Sequence, residues 1–147
     1  MKTRVIFISL LFILFGCVKK QRNTSVKNLY VQEMESQIWK TSSILGDSIE
    51  EPVVNFITDN MHFGKKIGFF TDFKNKSFTS KYVSHCGNEY FTNVYGKYEF
   101  YDEDKIMFSI DSIVYSGEWK KPVKYLYGKE IDFVISKNKN SIIFTRI

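Results

Sequence analysis

Two cysteines, Cys17 and Cys86, and two histidines, His62 and His85, are the whole stock of thiol and imidazole in 147 residues. His85 and Cys86 are neighbours, yet successive residues of an extended strand point to opposite faces, so a thiolate and its base would not meet there. Cys86 therefore reads as a buried or partly buried free thiol. His62, His85, Cys86 and a carboxylate have the right chemistry for zinc, but no close ligand pair such as Cys-x-x-Cys or His-x-x-x-His occurs. Asp102-Glu103-Asp104 lacks the glycine and the distal glutamate of a calcium loop and reads as a solvated turn. Neither a glycine-rich phosphate loop nor a Gly-x-Ser-x-Gly elbow is present. No catalytic residue, metal or cofactor is expected, and the chain reads as a non-enzyme.

Cys17 has a different setting. Lys2 and Arg4 precede an apolar run from Val5 to Phe15 interrupted by Ser9, the arrangement of a secretory leader. As a helix that run rises only ~16 Å, against a hydrocarbon core of roughly 30 Å. It ends in Leu14-Phe15-Gly16-Cys17, which resembles the lipobox of bacterial lipoproteins. The resemblance implies cleavage before Cys17, a diacylglyceryl thioether on its sulfur and permanent tethering to a membrane, each buried methylene contributing about 0.8 kcal/mol. The alternative is an ordinary secretory signal in which Cys17 is incidental. On the lipoprotein reading residues 1–16 are removed and residues 17–24 form the lipidated cysteine and its tether. Val18-Lys19-Lys20 includes no Asp of the kind that retains many lipoproteins at the inner membrane, so in a two-membrane cell the outer membrane is expected.

The elements that must follow this anchor form one domain, residues 25–147. Without Lys2 and Arg4, 19 basic side chains face 16 acidic ones, too small an excess to argue for nucleic acid; the scattered lysines read as a solvated face. With Cys17 lipidated, Cys86 has no partner for an intrachain disulfide, and a monomer held by its own core is expected. Alanine is absent and only Leu29, Leu45 and Leu126 remain as leucines after the leader. Good helix formers are scarce, while Val, Ile, Thr, Phe and Tyr suit a pleated surface.

Val26, Tyr30, Met34 and Ile38 recur every fourth position and suggest one helix over residues 25–38, with an extended lead-in as the alternative. Trp39 opens a strand to about Leu45, and residues 47–52 form an acidic loop. Further strands are expected over Val53–Thr58, Ile67–Phe73, Ser77–Cys86 and Lys97–Tyr101, with a hairpin turn at Lys74-Asn75-Lys76. Ile106, Phe108 and Ile110 alternate with Met107, Ser109 and Asp111, the clearest one-sided strand. Glu130–Ser136 and Ser141–Ile147 make a last hairpin in which Ile131, Phe133 and Ile135 meet Ile142 and Phe144. Some eight short antiparallel strands suggest an all-β, closed or nearly closed meander barrel, in preference to a sandwich.

Cys86-Gly87-Asn88, Gly96-Lys97-Tyr98-Glu99-Phe100 and Lys105-Ile106-Met107-Phe108, with Trp39 in the first strand, resemble the centre of META-type and other lipocalin-like small lipoprotein domains. The second cysteine usual in that family is absent from Ser112 to Trp119. The resemblance implies a barrel and no activity. Aromatic side chains supply the remaining signal. Much of this content must be core, but Tyr90, Tyr95, Tyr98, Tyr101, Tyr115, Tyr125 and Tyr127 carry polar tips suited to a barrel mouth or a recognition surface. Two functions follow as expectations: a binding module holding a small apolar ligand in its barrel, or an interaction or immunity-type lipoprotein that blocks another envelope protein.

Overall fold

Alternating apolar side chains draw most of the chain into strands, because alternate residues of a strand share one face and bury together. The computed structural model describes residues 29–46, 52–58, 67–84, 90–118 and 121–147. Among these residues one helix, α1 (Leu29–Met34), precedes eight strands: β1 (Ile38–Thr41), β2 (Val53–Ile57), β3 (Gly68–Lys74), β4 (Ser77–Val83), β5 (Tyr90–Phe100), β6 (Lys105–Gly117), β7 (Lys124–Asn138) and β8 (Ser141–Arg146). They close into an antiparallel barrel in the order β1-β2-β8-β7-β6-β5-β4-β3. From β3 to β8 this is the expected meander. The first two strands exchange places, β1 pairing with β3 and β2 with β8.

The barrel interior is an aromatic stack. Phe108, fully buried, meets Phe78 edge-on at 5.1 Å between centroids and Phe133 edge-on at 5.7 Å. Phe144 lies 4.4 Å from Phe56 and 5.6 Å from Phe108. Burying each such ring contributes about 1.5–3 kcal/mol, which is how a domain with so little leucine builds its core. Ile106, Phe108 and Ile110 are buried together, as the alternation predicts. Met107 is also buried, although it points the other way from them, so this strand is not strictly one-sided. Ile131, Phe133 and Ile135 join Ile142 and Phe144 in the same cluster.

Local chemistry sets the element ends. Within the described residues the helix ends at Met34, before the Ile38 that its periodicity predicts. The Glu35 N–H donates to Val31 O at 3.0 Å, and the Ser36 hydroxyl then donates to Glu33 O at 2.7 Å, closing the last turn. Ile38 is already in β1. Asn75 and Lys76, at φ 50° and 61°, form a two-residue hairpin turn between β3 and β4. Gly96 sits where β5 crosses Phe78 and the backbone of Ser109: a Cβ there would stand 2.6 Å from Phe78 Cε1 and would also collide with Ser109 O.

Both ends of the barrel are closed by the chain itself. At the lower end α1 packs Met34, Tyr30 and Val31 against the core, and Trp39 Nε1 donates to Met34 O at 3.0 Å. From the upper end of β1 the chain leaves the ladder after Thr41, short of the expected Leu45, and turns inward. Ile44 and Leu45 join the core, and the Leu45 N–H donates to Ser80 Oγ at 2.9 Å, which also receives the Thr71 hydroxyl at 2.8 Å. Gly46, at φ 88°, lies so close to Ile110 that a Cβ would fall 2.6 Å from Ile110 Cδ1.

Candidate functional site

Cys17, His62, His85 and Cys86, together with residues 47–51 of the expected acidic loop, lie outside the described residues. Asp102-Glu103-Asp104 does form an exposed turn: Asp102 accepts from the Glu103 N–H and pairs with Lys105 Nζ at 2.8 Å. Among the described residues no three His, Cys, Asp or Glu side chains converge as a metal site, and no described helix is long and apolar enough to cross a membrane.

The structure separates the seven tyrosines. Tyr98 is core, only 4% exposed, and its hydroxyl donates to Glu35 Oε1 at 2.6 Å. Burial, and then the Glu35 carboxylate, push the Tyr98 phenol well above its ordinary value. The same bond holds Glu35 below the usual carboxylate range against the opposing effect of burial, helped by the backbone N–H groups of Lys76 and Asn75. Together with the Glu33–Lys137 ion pair at 2.8 Å, it fastens α1 across the barrel end. Tyr101 is half-buried. Tyr115 is half-buried against the core with Lys121 Nζ 5.4 Å from its ring centre. Tyr90 opens β5, and its side chain is not described.

The other three stand outside. Tyr95, Ser112 and Tyr125 lie in one register row across β5, β6 and β7, and directly opposed residues of neighbouring strands share a face. Tyr95 is 40% exposed, Tyr125 62% and Tyr127 91%; Tyr125 and Tyr127 have ring centroids 6.2 Å apart. A bulge makes this arrangement. Ile110 pairs with Lys129 and Ser112 with Tyr125, so Leu126, Tyr127 and Gly128 together oppose Asp111 alone. Tyr127 and Gly128 take φ 49° and 79°, a left-handed conformation that costs a tyrosine roughly 1–2 kcal/mol. That cost sustains a ring almost wholly in solvent.

The bulge could not be seen from alternation, since it interrupts alternation. β7 begins at Lys124 and β5 at Tyr90, earlier than the expected Glu130 and Lys97. The available signal was Gly128, an isolated glycine inside a β-branched and aromatic run, which marks a bulge.

The upper mouth is the other candidate. Phe69, Tyr82, Tyr115 and Leu126 are half-buried around it, Phe69 and Tyr82 with centroids 5.3 Å apart. Ser43 Oγ is buried in the inward-turned segment with no hydrogen-bond partner among the described residues. A shallow depression of about 330 Å³ lined by Asn55, Ile57 and Asn138 to Ser141 lies at the opposite end and gathers no charged cluster. The closed barrel is compatible with a binding module. Comparison with protein-family models, with curated proteins and with solved structures returns no match for this chain.

Proposed function

We propose that this chain is a lipid-anchored, non-enzymatic binding module of the bacterial envelope, exported as a precursor, cut before Cys17 and held by acyl chains on that thiol. On this reading the barrel is a rigid body that recognises another envelope protein through the outer face of β5, β6 and β7. The observation that carries the recognition surface is Tyr127, 91% exposed in a strained bulge beside Tyr125. Tyrosine supplies large contact area at low entropy cost and is enriched at interface hot spots. An aromatic so exposed, at a backbone angle that opposes folding, is hard to account for by stability alone.

The test is a photoreactive amino acid at position 127 or 125, with position 72 on β3, across the barrel, as control. In living host cells positions 125 and 127 should yield one common protein adduct and position 72 none. Equal crosslinking from all three, or none, refutes the interface.

A small apolar ligand in the barrel is the second reading. It is favoured by Ser43 Oγ, buried with no hydrogen-bond partner among the described residues in the segment that enters the barrel from the end where Phe69, Tyr82, Tyr115 and Leu126 are half-buried, a set that would suit an apolar body with one polar head. The filled interior below limits such a ligand to the mouth. Native mass spectrometry of protein purified from its host separates the two, a retained lipid-sized mass favouring this second reading.

A further inference from the structure

β7 outruns its neighbour. Its ladder with β8 ends at the pair Phe133 and Arg146, followed by one bond in which the Ile147 N–H donates to Asp132 O at 3.1 Å. On the other side β7 continues to pair with β6 as far as Lys124. Among the described residues, therefore, Lys124 to Ile131 have a strand on one side only. Such an edge presents unpaired backbone donors and acceptors, a template for a further strand.

The side chains along this edge carry a pattern. Lys124 pairs with Ile113 and Lys129 with Ile110, both buried core residues, so the two lysines lie on the inward side of the sheet. Tyr125, in register with Ser112, lies on the outward side with Tyr95. From Lys121 to Ile131 there are three lysines and one acidic residue, Glu130; Asp111 stands one strand further in, behind the bulge. A strand laid against this edge would place alternate residues beside lysines and the intervening ones beside tyrosine rings.

We propose that the edge of β7 from Lys124 to Ile131 accepts an extended segment of a partner protein as an added strand, one in which acidic and apolar residues alternate. This rests on the protein-recognition reading above and deepens it: backbone pairing supplies affinity, and the two side-chain rows supply specificity. Lysines and bulges also occur on edges that merely need protection from aggregation. Protection alone accounts for Lys124, Lys129 and the bulge, but not for two tyrosines at 62% and 91% exposure on the same edge.

The probe is a blocked hexapeptide of alternating Glu and Val, titrated at low salt into isotope-labelled protein whose amide resonances are followed by NMR. Shift changes and slowed amide exchange should concentrate on Lys124 to Ile131. Three comparisons should each weaken binding about tenfold: N-methylation of alternate peptide amides, which removes backbone donors; replacement of Glu by Lys in the peptide; and the double variant Lys124→Glu, Lys129→Glu, whose melting temperature serves as a folding control. The inference is overturned if the peptide leaves these amides unmoved, or if the N-methylated peptide binds equally well. In that second case a crosslink at position 127 would still leave the tyrosine face standing, whereas loss of both removes the protein-recognition reading altogether.

Discussion

Replacing Tyr98 by Phe removes one hydroxyl and leaves the ring in place against Phe73 at 5.4 Å and Phe100 at 6.0 Å between centroids. The lost bond is a short one, 2.6 Å, to the carboxylate of Glu35. Hydrogen bonds to charged partners contribute about 1.5–3 kcal/mol. Glu35 is exposed and regains water when the phenol is gone, so the cost should fall at the lower end, about 1.5 kcal/mol at neutral pH. Its pH dependence is the sharper test. Glu35 is held below the usual carboxylate range first by the Tyr98 hydroxyl, so its contribution is present above the unfolded carboxylate value and is lost as pH falls through the folded one. Tyr98 is raised first by its burial and then by Glu35. Its contribution is complete below the unfolded phenol value, about 10, and is lost as pH rises beyond it. Urea unfolding, followed by the emission of buried Trp39, should therefore show the difference between wild type and Tyr98→Phe largest near neutrality and smaller at both extremes. Glu35→Gln should cost less in the Tyr98→Phe background than alone. A difference that does not vary with pH, or strict additivity of the two changes, would refute the coupling of α1 to the barrel through this pair.

Four further outcomes can be checked. Phe108→Ala should destabilise by about 3–5 kcal/mol in urea, with circular dichroism remaining β-dominated, because the ring is fully buried among Phe78, Phe133 and Phe144; a neutral effect would contradict the packed interior. Gly96→Ala should cost about 3 kcal/mol or abolish soluble expression, since the added methyl meets ring and backbone at once. Lys76→Gly should raise stability by about 1 kcal/mol by relieving a left-handed residue while keeping the bonds of its backbone to the Glu35 carboxylate and the Tyr98 N–H; an unchanged or lower melting temperature would show that Lys76 is not strained. Cys17→Ser should eliminate fatty-acid labelling and leave the precursor uncut, a serine hydroxyl being a poor nucleophile without an activating base. Normal cleavage and release of that variant would mark the segment as an ordinary secretory leader.

The barrel was legible because its evidence is repetitive. Ile106, Phe108 and Ile110, or Ile131, Phe133 and Ile135, state a period of two plainly, and Asn75 with Lys76 punctuates a hairpin at the place the structure puts one. What escaped are features that depend on partners distant in sequence. Ile44 and Leu45 look like a strand's continuation, yet they fill the barrel because Ser80 and Thr71 offer a polar anchor to the Leu45 backbone. The exchange of β1 with β2 is a matter of which edges close on each other, and no local pattern encodes it. The tyrosines stand out as a group, and alternation within β5 puts Tyr95 and Tyr98 on opposite faces, but only the ladder registers align Tyr125 with Tyr95 on the outside. That alignment turns on two bulged positions, Asp111 and the stretch from Leu126 to Gly128.

The closing of both barrel ends by the first part of the chain has a kinetic consequence. A growing chain makes α1 and β2 early, yet the partners that hold them come late: Glu35 waits for Tyr98, 63 residues on, and Glu33 for Lys137, 104 residues on. β2 has almost its whole ladder with β8, the last strand made. Such non-local pairing carries a large loop-closure entropy before any contact repays it. β3 to β6, joined by short links and paired in sequence order, are free to form a sheet earlier, and β1 can join it through β3, whereas β2 is added only when β8 arrives. Until then Val54 and Phe56 have no finished core to enter, so β2 is the strand of this protein that spends longest exposed to water.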